Sequence, residues 1–227
     1  MSARSWGRRL GVTTAAVAAT LGMAATTTPV AHAATGSATP TATRTVTGST
    51  GTATALPTIN PSGVDYDTWQ RDVKAVIDPA FPYVKQRTEN AAGQKQAIVL
   101  DIDNTSLETD FHLFLKYPTP AVRQVLQLAQ YAHARGVAIF FVTARPDILD
   151  LPTRYNLEKV GFPVQGLYVR HLPDLFDEKS EFKTAKRAEI EAKGYTIIAN
   201  IGNNTSDLVG GHAERTYKLP DYGGKLS

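Results

Sequence analysis

The feature that most constrains the fold of this chain is a series of continuous apolar runs separated by helical patterns. The runs are "QAIVLDI", "VAIFFVT", "QGLYVR" and "TIIANIG", and a shorter one follows at "RTYKL". Apolar runs that do not alternate with polar residues are typical of strands buried on both faces, which need helices on both sides of the sheet. The sequence therefore predicts an α/β fold of three layers around a mainly parallel sheet.

The helices between these strands are predicted from apolar spacing and capping residues. A first helix is predicted in "VDYDTWQRDVKAVI" and a second after Pro79. Thr119 is predicted to cap a third helix, with Pro120 at its first position. A polar helix in "FKTAKRAEIEAKG" is expected to end at Gly194. We expect these elements to form one domain, residues 61–227, with a helical segment at its N-terminal end.

The first 60 residues differ in composition from this domain. Three early arginines precede an alanine-rich apolar run, and "AHA" at residues 31–33 fits the pattern before a signal peptidase site. Residues 1–33 are therefore predicted to be a signal peptide, and "RR" at residues 8–9 leaves the twin-arginine route open. The apolar run falls short of about 20 strongly apolar residues, so no stable membrane anchor is expected. Residues 34–60 are rich in Thr, Ala, Ser, Gly and Pro, which predicts a disordered linker.

Charge and cysteine content exclude several classes of function. The chain has 24 Lys and Arg against 21 Asp and Glu, and three of the arginines lie in the predicted signal peptide. The remaining chain is balanced, so its charge does not favour nucleic acid or a membrane surface as a partner. The absence of cysteine excludes disulfides, thiol nucleophiles and Cys-ligated zinc.

Polar side chains follow the apolar strands at the points where the strands end. In a parallel sheet these carboxyl ends share one edge, where ligands bind. Acids, a hydroxyl and basic groups gathered there suit a site that handles phosphate. The residues concerned are Asp101, Asp103 and Thr105 after the first strand, Thr143 and Arg145 after the second, Lys183 on the polar helix, and Asn203 and Asp207 after the fourth.

These residues resemble the motifs of the haloacid dehalogenase (HAD) superfamily of phosphohydrolases, in particular its secreted acid phosphatase branch, subfamily IIIB. "DIDNT" from Asp101 matches the D-x-D-x-T motif, Thr143 in "FFVTARP" the second motif and Lys183 the third. Arg187 fits the spacing that this branch uses. "GNNTSD" matches the fourth motif, usually G-D-x-x-S-D, with Asn203 in place of its first aspartate. The resemblance covers roughly residues 94–222 and implies a three-layer, Rossmann-like fold.

The resemblance implies a role for each matched residue. Asp101 would be the nucleophile that forms an aspartyl-phosphate, and Asp103 would protonate the leaving alcohol and then activate water. Thr143 and Lys183 would hold the phosphoryl oxygens. Mg²⁺ is the implied cofactor, with Asp101, Asp103 (through its carbonyl), Asn203 and Asp207 as candidate ligands. Asp207 would support the metal through water or orient Lys183, and a helix cap is a further interpretation. Arg145 would bind substrate phosphate or pair with a nearby acid.

The implied function is a secreted, Mg²⁺-dependent phosphomonoesterase, with association with the cell wall left open. The alternative is a catalytically weakened protein that binds or stores phosphate esters, because Asn203 removes one negative charge from the metal site. The short connections between motifs predict no full cap domain, which favours broad specificity that includes nucleotides. The aromatic residues Phe111, Phe114 and Tyr117 are interpreted either as a small lid over the substrate or as core.

Overall fold

A computed structural model describes residues 62–112 and 116–226. The predicted signal peptide, the predicted linker and Phe114 lie outside these residues. In chain order the elements are α1 (Tyr66–Ile77), α2 (Ala80–Glu89), β1 (Lys95–Leu100), α3 (Arg123–His133), β2 (Ala138–Pro146), α4 (Asp150–Lys159), β3 (Gly166–Arg170), α5 (Lys179–Ala192), β4 (Tyr195–Gly202), α6 (Thr205–Leu208) and β5 (Thr216–Lys218).

The five strands form one parallel sheet in the order β3-β2-β1-β4-β5. Neighbouring residues of one strand pack into different cores, because side chains alternate between the two faces of a sheet. In β1, Ile98 and Leu100 join a large core with α1, α2 and α3, whereas Ala97 and Val99 pack with Phe182 of α5. This three-layer arrangement confirms the predicted fold class.

Two local features differ from the sequence-based expectation. Helix α3 begins at Arg123, not after Thr119, because residues 120–122 are extended and pair with the segment after β1: the amide of Val122 donates to the carbonyl of Ser106 at 2.9 Å. The main chain of Thr119 is instead held by the side chain of Asn156, which bonds both its amide and its carbonyl at 2.8 Å. Asn156 belongs to α4, a helix that apolar spacing did not predict.

The connections between the strands are short. Within residues 62–112 and 116–226, no inserted domain lies between β1 and β2, and the segment from β2 to α5 holds only α4, β3 and short turns, which agrees with the prediction that a full cap is absent. None of the helices in this part of the chain is long and apolar enough to cross a membrane. The predicted site residues lie at the carboxyl-terminal edge of the sheet.

Candidate active site

The turn after β1 presents two carboxylates to the edge of the sheet. The amide of Asp101 donates to the carbonyl of Ile201 at 2.9 Å, which continues the pairing of β1 with β4. The chain then turns back, because the carbonyl of Ile102 accepts from the amides of residues 105, 106 and 107 at 3.2, 2.9 and 2.9 Å. Asn104 takes a left-handed conformation, φ 53°, at the centre of this turn. Asp101 and Asp103 therefore line the same cavity.

Lys183 forms a buried ionic triad with Asp101 and Asp207. Its ammonium donates to Oδ1 of Asp101 at 2.7 Å and to Oδ1 of Asp207 at 2.5 Å. The three side chains are only 5%, 7% and 3% exposed, in the order Lys183, Asp101, Asp207. Burial raises the pKa of Asp101 to about 6, although the neighbouring ammonium acts in the opposite direction. Burial alone would lower the pKa of Lys183, but the two carboxylates outweigh it and raise that pKa.

Asp103 is held by a guanidinium fork. Nη2 and Nε of Arg145 donate to its two carboxylate oxygens at 2.6 and 3.0 Å, and the hydroxyl of Thr109 donates at 2.9 Å. Burial alone would raise the pKa of Asp103, but the hydrogen bonds and charge of Arg145 lower it below its ordinary value. Arg145 also donates to the buried hydroxyl of Thr153 in α4 at 3.0 Å. Of the two interpretations of Arg145, the structure thus shows the pairing with an acid.

A cavity of about 290 Å³ lies between these groups. It brings together Asp101, Asp103, Thr143, Arg145, Lys183 and Asp207, all candidates from the sequence. It also includes side chains that sequence reasoning did not assign, namely Lys179, Asn204 and Ser206. Lys179 lies one turn before Lys183 on α5, a signal that would have been readable from the i, i+4 spacing. Asn204 and Ser206 lie inside "GNNTSD" itself.

Asp207 has two structural duties besides lining the cavity. Its Oδ1 holds Lys183, and its Oδ2 accepts from the amide of Asn204 at 2.8 Å, in a capping box at the start of α6. Asp207 therefore does both things that were considered for it: it orients Lys183, and it takes part in the cap of α6. Gly202 allows this packing, because a Cβ at its position would lie 2.3 Å from the Cβ of Asp207.

Asn203 is fully buried and does not line the cavity. Its Nδ2 donates to the carbonyl of Leu226 at 3.0 Å, and its Oδ1 accepts from Nδ2 of Asn204 at 3.1 Å and, weakly, from the hydroxyl of Thr105 at 3.4 Å. The amide group is thus largely used by the fold. Its side chain lies against the D-x-D-x-T turn through the contact with Thr105.

Two oxygens at this edge of the sheet are available to a divalent cation. Within residues 62–112 and 116–226, no three His, Asp or Glu side chains form a ready metal cluster. Oδ2 of Asp101 and the carbonyl of Asp103 nevertheless receive no hydrogen bond from this part of the chain. The cavity pairs three acids (Asp101, Asp103 and Asp207) with the cations of Arg145, Lys179 and Lys183, so a phosphate dianion would enter a site of zero formal charge. Mg²⁺ takes one or two protein oxygens with water and phosphate, and these residues fit it.

Comparison with known proteins tests the resemblance seen in the motifs. The family model described as HAD superfamily, subfamily IIIB (Acid phosphatase), matches residues 50–225. The chain belongs to this family. One relative of this chain is the Stem 31 kDa glycoprotein of Glycine max. The two proteins are 27% identical over 179 residues, which cover 70% of this chain and 69% of that protein. Acid phosphatase 1 of Solanum lycopersicum is 25% identical over 173 residues, or 67% of this chain and 68% of that protein.

Among solved structures, the class C acid phosphatase from Bacillus anthracis is similar, with 22% identity and a TM-score of 0.49 over 69% of this chain and 82% of that chain. The family match confirms the family that the motifs predicted, so this HAD subfamily IIIB protein is a phosphoric monoester hydrolase. The family implies a small phosphoester as substrate, and HAD phosphatases generally use a divalent metal.

In this subfamily IIIB protein, Arg187 of α5 is buried and binds the backbone of the segment that follows β4. Its guanidinium donates to the carbonyls of Asp207 and Gly211 at 2.7 and 2.9 Å, and also to the carbonyl of Val209. Arg187 therefore fixes the segment that carries Asp207 against α5.

Two of the aromatic residues that were interpreted either as a lid or as core lie in different surroundings. Phe111 belongs to the core, where its ring is stacked on Trp69 with the ring centroids 4.2 Å apart. Tyr117 is half-exposed, and its ring is stacked on Tyr155 with the centroids 5.8 Å apart.

Proposed function

We propose that this acid phosphatase hydrolyses phosphomonoesters through an aspartyl-phosphate on Asp101, with Mg²⁺ as its cofactor. The observation that carries the proposal is the Asp101 carboxylate, which faces the cavity with Oδ2 unengaged while Lys183 holds Oδ1. A carboxylate fixed in this way can attack phosphorus without first reorganising. The family match to acid phosphatases does not favour the alternative of a weakened binding or storage protein.

The reaction has two chemical steps. In the first, an oxygen of Asp101 bonds to phosphorus, the bond from phosphorus to the leaving oxygen breaks, and Asp103 gives that oxygen its proton. In the second, water attacks phosphorus, the bond to Asp101 breaks and Asp103 takes the proton from water. Phosphate is released and both aspartates return to their starting state.

Asp103 must carry a proton in the first step, whereas Arg145 holds it as a carboxylate in the resting site. We infer that the phosphoryl oxygens of a substrate compete for Arg145, which frees Asp103 to take up a proton. Lys183 and the hydroxyl of Thr143 would hold the other phosphoryl oxygens. When bound, Mg²⁺ would supply positive charge against the phosphate, held by the carboxylate of Asp101 and the carbonyl of Asp103.

The test is release of phosphate from p-nitrophenyl phosphate during a Mg²⁺ titration, from about pH 5 to about pH 7.5. We expect saturable, metal-dependent turnover that Asp101→Asn abolishes. Equal background rates for the wild type and Asp101→Asn would refute the proposal. Partitioning between water and added glycerol tests the covalent step: aryl phosphates with different leaving groups should give one common ratio of transfer to hydrolysis, because they share one intermediate.

We also propose that the protein is secreted after removal of residues 1–33. The support is the arginine-led apolar segment with "AHA" before Ala34. Protein recovered from the culture medium should begin at Ala34 when its N-terminus is sequenced. Recovery of the uncleaved chain inside cells would contradict secretion. Retention on cell-wall material that vanishes when residues 34–60 are deleted would assign the tethering role to the linker.

A further inference from the structure

The loop after β2, the first turn of α4 and the loop after β3 carry large apolar side chains that are exposed to solvent. Ile148 and Leu151 are 81% and 79% exposed, and Leu172 and Phe176 are 70% and 84% exposed. Single exposed apolar residues are ordinary, but a local group of them marks a surface that contacts something apolar. We name these four residues the apolar rim.

The two loops of the apolar rim lie side by side and are fixed to the sheet. Pro146 at the end of β2 is paired in register with Arg170 at the end of β3, so the two loops leave from neighbouring positions. Nδ1 of His171 and Oδ2 of Asp147 are 3.1 Å apart and connect them. The guanidinium of Arg170 donates to the carbonyl of Asp174 at 2.6 and 3.0 Å, which holds the second loop in place.

The position of Asp103 decides on which side of the site the leaving group lies. Arg145, a residue of β2, holds Asp103 towards the β2 side, and Thr153 of α4 holds Arg145 in turn. The groups assigned to the phosphoryl oxygens lie on both sides of Asp101: Thr143 and Arg145 belong to β2, whereas Lys183 lies towards β4 through its bond to Asp207. Because Asp103 must reach the leaving oxygen, the leaving group lies next to Asp103, where the cavity is also lined by Arg145, directly before the first rim segment, and by Lys179, directly after the second. That is the side on which the apolar rim follows the strands.

We propose that the apolar rim contacts the leaving group, so that the site prefers phosphomonoesters of large apolar alcohols to those of small ones. This inference rests on the proposed function, since it takes Asp103 as the group that protonates the leaving oxygen. None of the four rim residues lines the polar cavity, so the phosphate and the apolar group of one substrate have different places to bind. Burial of apolar surface against the rim would then add to transition-state binding.

The test compares hexyl phosphate with ethyl phosphate, whose alcohols leave with nearly equal chemical difficulty. We expect the wild type to have a value of kcat/KM about tenfold higher for hexyl phosphate. The double variant Ile148→Ser with Phe176→Ser should reduce this preference to about twofold and leave kcat/KM for ethyl phosphate unchanged. Val209→Ser removes an exposed apolar side chain after α6 and is the matched control, expected to keep the full preference.

A preference that survives in the double variant, or is absent from the wild type, would overturn the inference. Binding of hexylphosphonate and ethylphosphonate to Asp101→Asn, measured by calorimetry, separates the inference from the proposed function. If no ester is turned over, the proposed function fails, while tighter binding of hexylphosphonate that the double variant loses still supports the rim. Equal affinities would overturn it. Analytical sedimentation of the wild type and the double variant completes the test. If the wild type is a dimer, the double variant is a monomer, and the preference for hexyl phosphate is unchanged, then the rim is a self-association surface and the inference is overturned.

Discussion

Replacement of Lys183 by methionine is the perturbation that most directly tests the buried ionic triad. The ammonium lies 2.7 Å from Asp101 and 2.5 Å from Asp207, and at an effective dielectric of about 20 each contact is worth about 6 kcal/mol before desolvation is counted. Desolvation offsets most of this attraction. Removing one partner of a buried ion pair nevertheless costs about 3–5 kcal/mol, because the remaining charge stays buried without compensation. We expect Lys183→Met to lower the free energy of unfolding by that amount at pH 7.

The assay is urea unfolding followed by the fluorescence of Trp69, which is buried in the core. Lys186→Met is the matched control. Lys186 lies on the same helix and pairs with Glu189 at 3.3 Å on a partly exposed face, so its loss should cost less than about 0.5 kcal/mol.

The pH dependence of the Lys183→Met effect has a definite sign. The pKa of Asp101 is raised to about 6 even beside the ammonium, and it rises further without it. A carboxyl group with a raised pKa destabilises the fold fully above that pKa, and the penalty decreases as the pH falls from the raised pKa towards the ordinary one. The loss in Lys183→Met should therefore shrink between about pH 7 and about pH 5. A variant within about 1 kcal/mol of the wild type at pH 7 would refute the view that Lys183 balances buried charge.

Other predictions concern the core, a surface network and the fourth motif. Phe111→Ala should cost about 3–5 kcal/mol of stability in thermal unfolding and leave KM unchanged, because the ring is stacked in the core; a raised KM at unchanged stability would make Phe111 a substrate contact. Glu214→Gln should cost up to about 1 kcal/mol at pH 7 in urea unfolding. Hydrogen bonds from Arg87 hold the pKa of Glu214 below its ordinary value of 4.5. The difference in unfolding free energy between the wild type and Glu214→Gln should therefore persist down to about pH 4.5 and vanish as the pH falls through the lowered pKa. A difference that does not change with pH would contradict this dependence of stability on the pKa of Glu214. Asn203→Asp should lower the free energy of unfolding by about 1–3 kcal/mol, since it removes the donor to Leu226 in a buried place; unchanged stability would show that this bond contributes nothing.

The parallel sheet could be predicted because the burial of its strands on both faces selects apolar residues at consecutive positions. In β1 the burial of consecutive residues produces a continuous apolar run, and the same holds for β4 from Ile197 onward. Parallel strands also bring their carboxyl ends to one edge, so polar residues after different strands were expected to meet. Asp101, Lys183 and Asp207 meet there although 82 and 24 residues separate Lys183 from the two acids.

Helix α4 could not be predicted from apolar spacing because its buried face is largely polar. Thr153 and Asn156 are buried and bonded to Arg145 and to the main chain of Thr119, whereas Leu151 is exposed. A hydrophobic stripe is the signal that such reasoning detects, and this helix lacks one. The same contacts explain the error at Thr119: a residue suited to cap a helix is used instead in a tertiary hydrogen-bonded pair.

The fourth motif shows why a motif match locates a residue but does not assign its task. Asn203 lies against the first motif, yet its amide spans Leu226 on one side and Asn204 on the other, and its carbonyl accepts from Lys218. An aspartate at this position would have no proton to donate to Leu226. An asparagine in its place can bind the carbonyl of Leu226 and so hold the C-terminal segment. The negative charge that a metal site loses here is not replaced by Asp207, whose oxygens are engaged by Lys183 and by the helix cap. If the proposed cation site is correct, its affinity would depend chiefly on Asp101 and the carbonyl of Asp103, together with the phosphate of the substrate, and cation and substrate binding would then reinforce each other.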